Sequence, residues 1–272
     1  MMVTSKFSDY LVQLVDQAIK AALAAGLKIN EVYTTSDFNI QLKEDHTPVT
    51  IADQLAHDEI LERLKSTGLP ILSEEGIHLD YSERKNWGLF WLVDPLDGTK
   101  EFIKRNDEFT VNIALIQNNK PIAGVIFAPV TGELYAGIPG IDAFKLFNPT
   151  EDCTFQTMRL SGIKLPEETK RDQFIVAISR SHMNRETEEY IENLRQEHES
   201  IQMIRKGSSL KICMVAEGTA DVYPKIGTTM EWDTAAGHAI VRAAGKNIIC
   251  PDTNTELTYN KEDLHNPNFI VR

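Results

Sequence analysis

Phe90-Trp91-Leu92-Val93-Asp94-Pro95-Leu96-Asp97-Gly98-Thr99-Lys100-Glu101-Phe102 is the stretch from which the rest of the chain is read. An apolar run with the composition of a buried strand ends on an acid, and a second acid follows three residues later. Pro95 is expected to stop the ladder, and Gly98 to let the backbone approach a ligand closely. Asp94 at the strand end and Asp97 in the following turn can point at one spot. Carboxylates are hard oxygen ligands of the kind that Mg²⁺ takes. A helix starting near Thr99 would add free N–H groups, and so an anion site beside the cation site. Cation and oxyanion together point to phosphate-ester chemistry. Taken alone, the same residues describe equally well a turn whose acids cap the next helix, because Asp, Pro and Gly are ordinary turn residues.

The composition narrows the field. A chain of 272 residues can bury a substantial core as one large domain or two intimate ones. A net charge of −12 argues against a nucleic-acid partner, which needs a basic face. A small anionic ligand stays compatible, since a few local cations can dominate one cleft. No apolar run reaches bilayer length, and Asp9 and Asp16 interrupt any leader pattern, so a cytoplasmic protein without stable membrane insertion is expected. Cys153, Cys213 and Cys250 are odd in number and widely spaced, and are expected to be reduced and structural. The seven histidines are scattered, which argues against transition-metal catalysis.

Periodicity predicts helices over residues 8–25, with Gly26 as the stop, and over residues 50–64. Short strands or a mobile loop are expected over residues 32–43. A strand over residues 70–72 leads into Ser73-Glu74-Glu75-Gly76. Residues 109–117, 122–127, 134–138 and 143–147 alternate as an antiparallel block, with Asn118-Asn119-Lys120 as a hairpin turn. Downstream the pattern becomes strand 174–179, helix 184–196, strand 201–204, helix 208–217, strand 220–223 and helix 234–244. That alternation suggests a separate α/β layer, with a seam in the Pro-interrupted stretch 149–173.

Three further acid-bearing segments can converge with the opening one. They are Ser73-Glu74-Glu75-Gly76, Glu231-Trp232-Asp233 before a small-residue helix, and Thr50-Ile51-Ala52-Asp53 at a helix start. Singly, Asp53 and Asp233 could be N-terminal helix acids favoured by the dipole, and Glu75 a residue facing solvent or behind the site. Together with Asp94 and Asp97 the three segments describe a cleft.

With these segments the chain resembles the magnesium-dependent, lithium-sensitive phosphatase superfamily of inositol monophosphatases, fructose-1,6-bisphosphatases and bisphosphate nucleotidases. Trp91-to-Ile103, Ser179-Arg180-Ser181-His182, Gly207-Ser208-Ser209-Leu210-Lys211 and Trp232-to-His238 make it most similar to the bacterial 3′(2′),5′-bisphosphate nucleotidases of the CysQ type. The resemblance implies an α+β fold, a layered α/β/α/β/α sandwich of the sugar-phosphatase type. An N-terminal α+β domain (1–155) would carry most metal ligands, and a C-terminal α/β domain (156–272) Asp233 and the nucleotide contacts.

By the same resemblance Glu74, Asp94 and the Leu96 carbonyl would hold one Mg²⁺, Asp94, Asp97 and Asp233 a second, with a weaker third near Glu74. Two cations about 4 Å apart can activate water and stabilise the leaving oxygen. Asp53 and Thr99 match the pair that deprotonates the nucleophilic water, in preference to Asp45, while Glu75 stays outside. The Gly98 and Thr99 N–H groups would bind the scissile phosphate. Ser181, His182, Ser208, Lys211, Lys225 and Asp233 would contact the nucleotide. Lys225 departs from the arginine more frequent there, and so loses the planar bidentate fork.

The activity implied is Mg²⁺-dependent hydrolysis of adenosine 3′,5′-bisphosphate to AMP and phosphate, extending to its sulfated parent. The alternatives are the same chemistry on inositol monophosphate or fructose 1,6-bisphosphate, and a catalytically silent nucleotide sensor. The resemblance leaves open a monomer or a homodimer, and a peripheral association with the cytoplasmic side of the inner membrane.

Overall fold

A computed structural model of the chain describes residues 2–35, 41–42, 48–77, 79–167, 171–180 and 183–272. The long α1 (Met2–Tyr33) is followed by an antiparallel pair, β1 (Gln41–Leu42) and β2 (Pro48–Val49), and by α2 (Ile51–Leu64). Then come β3 (Ile71–Ser73), α3 (Tyr81–Arg84), β4 (Leu89–Asp97), α4 (Thr99–Ile103), β5 (Thr110–Gln117) and β6 (Lys120–Ala128). After them run β7 (Glu133–Ile138), β8 (Asp142–Phe147), α5 (Phe155–Ser161) and β9 (Ile163–Leu165). The remainder is β10 (Phe174–Ser179), α6 (Arg185–Glu197), β11 (Ile201–Lys206), α7 (Leu210–Glu217), β12 (Tyr223–Lys225), α8 (Glu231–Ala243), β13 (Ile248–Cys250), β14 (Thr255–Glu256) and β15 (Phe269–Val271).

The layers follow from which faces are apolar. Strands β3 to β9 form one seven-stranded sheet in chain order, antiparallel except for the β3–β4 pair. Trp91, Val93, Val111, Ile113 and Leu115 face α1 and α2, and form one core with Leu14, Ile19, Ile29 and Ile60. Phe90, Leu92, Ala114, Ile116 and Ile126 face the other way, onto α7 and α8 through Ile212, Ala236 and Ile240. Beyond those helices lies a second set of strands. The parallel pair β10–β11 touches the antiparallel array β12–β15–β13–β14 through a Val176–Val222 bridge. Helix α6 covers its far side, with Ile191 against Val176, Ile178 and Ile270. The order is thus helices, sheet, helices, sheet, helix: the expected α+β sandwich.

Two expected helix ends are corrected. Gly26 does not stop the first helix, which runs on to Tyr33 with Ile29 and Val32 extending its buried stripe. A Cβ at Gly26 would run into the Phe127 ring on β6, so the glycine serves close helix-to-sheet approach. That helix also takes the first residues of the stretch expected as strand or loop. Helix α8 begins at Glu231, three residues earlier than periodicity suggested, and so includes Asp233 in its first turn. The other strands and helices that were expected fall within a few residues of their places, whereas α3, α5, β9 and β13 to β15 had no counterpart in the sequence reading, and α1 starts at Met2, six residues before the expected start. The hairpin turn has Asn118 and Asn119 both at positive φ (49° and 63°), the backbone that asparagine tolerates and a tight hairpin requires.

Strand β4 does not end at Pro95. Asp94 pairs with Asn112 and Asp97 with Thr110, with a register shift between them. In an unbroken strand two residues three apart point to opposite faces. Here the shift moves Leu96 to the α1–α2 side and turns Asp97 to the α7–α8 side, where Asp94 already points. An extra residue in one strand does this, and proline is tolerated there because the ladder is already interrupted.

Candidate active site

A cleft of about 320 Å³ lies where the ends of β3 and β4 meet the first turns of α4, α7 and α8. Glu74, Asp94, Asp97, Gly98, Thr99, Ser208, Lys211, Lys225 and Asp233 all line it. Glu75 does not.

Glu74, Asp94 and Asp233 each offer a carboxylate oxygen, and the three oxygens lie within 4.8 Å of one another. Each element contributes for a local reason. Glu74 follows β3, and its N–H donates to the Val93 carbonyl of β4. Asp94 continues the Phe90–Leu92 face of β4, and its Oδ1 accepts the Leu96 N–H at 3.1 Å. Asp233 is the third residue of α8, and its Oδ2 accepts the Met230 N–H at 2.8 Å, a capping bond that fixes its rotamer.

Burial and the neighbouring Glu74, Asp97 and Asp233 charges raise the Asp94 carboxyl well above its ordinary range. Asp233 is raised for the same reasons, burial first, and the Lys225 ammonium only partly offsets them. Acids so crowded need added positive charge in order to be ionised together. An all-oxygen set of this kind fits Mg²⁺, a hard cation held through carboxylates, and no histidine or cysteine belongs to the group.

Asp97 lies in the same cleft but outside that trio, because its Oδ2 is engaged by α7. It accepts the Ser209 N–H at 2.7 Å and the Ser208 hydroxyl at 2.7 Å. Ser208 reaches it from a left-handed backbone position (φ 52°) at the turn into α7.

Thr99 and Asp53 come together across the β4–α4 turn. The Thr99 hydroxyl donates to Asp53 Oδ1 at 3.0 Å. Asp53 Oδ2 accepts the Thr50 N–H and the Thr50 hydroxyl, each at 2.7 Å. Burial raises the Asp53 carboxyl above its usual pKa, against the pull of those donors. Gly98, at φ 95°, occupies the left-handed region that glycine adopts without strain, and gives the turn its direction.

Lys211 is buried beneath the cleft. Its Nζ lies 2.5 Å from the Ser208 carbonyl and 5.3 Å from the centroid of the Tyr223 ring. Lys225, from β12, is half-buried and faces the charges of Asp233 and Asp97. Ser181 and His182, and the rejected Asp45, lie outside the described residues.

Several contributors were not singled out in the sequence. Thr50 orients Asp53, while Asn112, Thr110 and Ser209 surround Asp97. Glu108 accepts from Arg180 Nε at 2.6 Å and from the Gly207 N–H at 2.8 Å, tying the β5 approach to the turn before α7. A signal existed for Asn112, an amide set in the otherwise apolar run Val111-Asn112-Ile113-Ala114-Leu115-Ile116.

The inositol monophosphatase family matches residues 11–270, nearly the whole chain. The chain belongs to the inositol monophosphatase family. Among sequences of this family, it is 44% identical over 262 residues to the 3′(2′),5′-bisphosphate nucleotidase CysQ of Shigella flexneri, covering 95% of this chain and 99% of that one. It is likewise 44% identical over 263 residues to the protein of that name in Escherichia coli strain K12, with the same coverage. Among solved structures, CysQ from Bacteroides thetaiotaomicron superposes with a TM-score of 0.90 at 51% identity, over 97% of this chain and 98% of that one. The extragenic suppressor protein suhB of Bartonella henselae matches with a TM-score of 0.71 at 24% identity, over 95% of this chain and 93% of that one, and shares the fold. No helix among the described residues is long and apolar enough to cross a membrane.

Proposed function

We propose that the chain is a Mg²⁺-dependent phosphomonoesterase, a 3′(2′),5′-bisphosphate nucleotidase that hydrolyses adenosine 3′,5′-bisphosphate to AMP and phosphate. The observation that carries the chemistry is the Thr99 hydroxyl, bonded to Asp53 at the edge of the three-carboxylate group. The full-length similarity to CysQ nucleotidases supports the substrate.

Glu74, Asp94 and the Leu96 carbonyl would hold one Mg²⁺, and Asp94, Asp97 and Asp233 a second, with a third, weaker position near Glu74. Bound Mg²⁺ supplies the positive charge that polarises the phosphoryl group, acidifies water and stabilises the departing oxygen. The protein's own part is proton handling and orientation. Water attacks the phosphorus and yields a proton to Thr99 Oγ1, whose own proton passes to Asp53 Oδ1. The ester oxygen leaves as the AMP 3′-hydroxyl after taking a proton from solvent. A threonine hydroxyl is a poor base alone; the buried carboxylate behind it makes the transfer feasible.

Gly98 and Thr99 N–H groups would receive the scissile phosphate. Ser208, Lys211 and Lys225 would hold the second phosphate, together with Ser181 and His182 on the adenosine side. Lysine at position 225 gives this contact a point charge where a guanidinium would give a fork.

Phosphate release from adenosine 3′,5′-bisphosphate, inositol 1-phosphate and fructose 1,6-bisphosphate, measured side by side at saturating Mg²⁺, tests the reading. The nucleotide is expected to have the highest kcat/KM. A preference for either sugar phosphate would assign the same chemistry to another substrate. Tight nucleotide binding without turnover would make the chain a sensor.

A further inference from the structure

Asp97 is held by more donors than a carboxylate at a turn needs. Besides the Ser208 hydroxyl and the Ser209 N–H, its Oδ2 lies 2.8 Å from Ser209 Oγ and 3.4 Å from Asn112 Nδ2. Ser209 Oγ has one proton and two acceptors, Asp97 Oδ2 and the Asp233 carbonyl at 2.8 Å, so it serves one at a time. Asn112 Nδ2 donates to that same Ser209 Oγ at 2.9 Å, and Asn112 Oδ1 in turn accepts from Thr110 at 2.9 Å. Asn112, Ser209 and Thr110 are all buried. Ser208 Oγ also lies 2.6 Å from Thr110 Oγ1, whose own proton goes to Asn112, so the Ser208 proton is shared in the same way. The two lone pairs of Oδ2 are therefore filled by the Ser209 N–H and by one of the two serine hydroxyls, with the Ser209 hydroxyl set by Asn112, and a cation reaches this carboxylate at Oδ1.

We infer that Asn112 and Ser209 are positioning residues that pin Asp97 Oδ2 and so present Oδ1 alone to the divalent cation shared with Asp94 and Asp233. This rests on the metal-dependent reading above. The strand register supports it: Asn112 stands opposite Asp94, so one amide and its serine neighbour reach the carboxylate from two layers of the fold. Ser209 also joins Asp97, through its N–H, to the backbone carbonyl of Asp233, within reach of its hydroxyl, so the spacing of two expected ligands runs through a single residue. Outer partners of this kind typically change metal affinity by about 10–100-fold.

Mn²⁺ is the probe. It is titrated into metal-free protein, the free ion is followed by its solution EPR signal, and the heat is followed by calorimetry. Wild-type protein is expected to bind in at least two classes. Ser209→Ala and Asn112→Leu are each expected to weaken one class by about 10–100-fold, leave the other unchanged, and keep a cooperative thermal transition. Ser209→Thr, which keeps both donors, is expected to restore the weakened class. Should Ser209→Ala fail to fold, Asn112→Leu carries the test, because it keeps the branching and heavy-atom count of the side chain in the strand. Two unchanged classes in the folded variants would overturn the inference, as would equal loss of both or a single class in the wild type. A wild-type protein that binds no Mn²⁺ would overturn the metal reading itself.

Discussion

Lys211 shows how burial sets the pH range of a proposed binding group. Desolvation pulls its ammonium down to about 8, against the attraction of the Asp97 charge. Below that pH it meets an anionic substrate as a cation; above it, the charge is lost. We expect kcat/KM for the bisphosphate to fall along an alkaline limb beginning near pH 8, and Lys211→Met to start lower and lack that limb. Stability moves the other way. Unfolded lysine titrates at about 10.4, so between about pH 8 and that value the unfolded chain binds the extra proton and this residue's contribution to stability rises with pH. Below about pH 8 its burial penalty is fully present. At this scale the sequence was informative wherever chemistry was concentrated. Asp53, Thr99, Glu74, Asp94 and Asp233 stand in recognisable segments. The supporting roles of Thr50 and Ser209 were hidden within quoted segments, because a hydrogen bond to another side chain leaves no periodic trace, and Asn112 showed only as an amide in an apolar run.

At the scale of elements, the position of α8 is set by side chains that are missing. A Cβ at Gly124 on β6 would run into the Ala236 backbone, and one at Gly137 on β7 would come within 2.7 Å of the Ile240 Cα. The helix therefore lies directly on the sheet, and its first turn delivers Asp233 beside Asp94. Gly124→Ala is expected to push α8 outward, costing about 1–3 kcal/mol by overpacking and raising the Mg²⁺ concentration needed for half-maximal activity. Unchanged Mg²⁺ dependence in a destabilised variant would show that the two are separate. Most strands of the large sheet and the longer helices were legible from period and turn chemistry, while the short β9 and β13 to β15 were not. The β4 bulge was not, since a two-residue period would send Asp94 and Asp97 to opposite faces, and only pairing with β5 reveals the shift. Gly26 misled for the related reason that a glycine which ends a helix and one which lets it approach a sheet look alike.

For the whole molecule, the expected ligands come from two adjacent layers: Glu74, Asp94 and Asp97 from the large sheet and its strand ends, Asp233 from α8 in the central helical layer. A cation there would neutralise repulsion within the fold, and its binding energy would become stability. Free Mg²⁺ at a hundredfold excess over Kd is worth about 2.7 kcal/mol, or on the order of 5–10 °C in Tm for a chain of this size. We expect chelation to lower the wild-type Tm by that order. Asp94→Asn, with one buried charge removed, should melt higher than wild type under chelation, gain little from Mg²⁺, and lose on the order of 10²–10³ or more in kcat. Calorimetric scans with and without chelator check the first two, and steady-state rates the third. A wild-type Tm indifferent to Mg²⁺ would contradict the account.

Asp53 and Asp233 share a feature that separates them from their neighbours. Each is the third residue of its helix, and each accepts the backbone N–H of the residue before that helix. The bond that aims the acid into the cleft is also the bond that starts the helix. In a pooled mutational scan reading both cellular abundance and activity, substitutions at these two positions would lower both, and would be scored as folding defects. Thr99, whose hydroxyl bonds to Asp53 and weakly to the Leu96 carbonyl at 3.4 Å, caps no helix. It is the position at which such a scan could register the chemistry separately from the architecture.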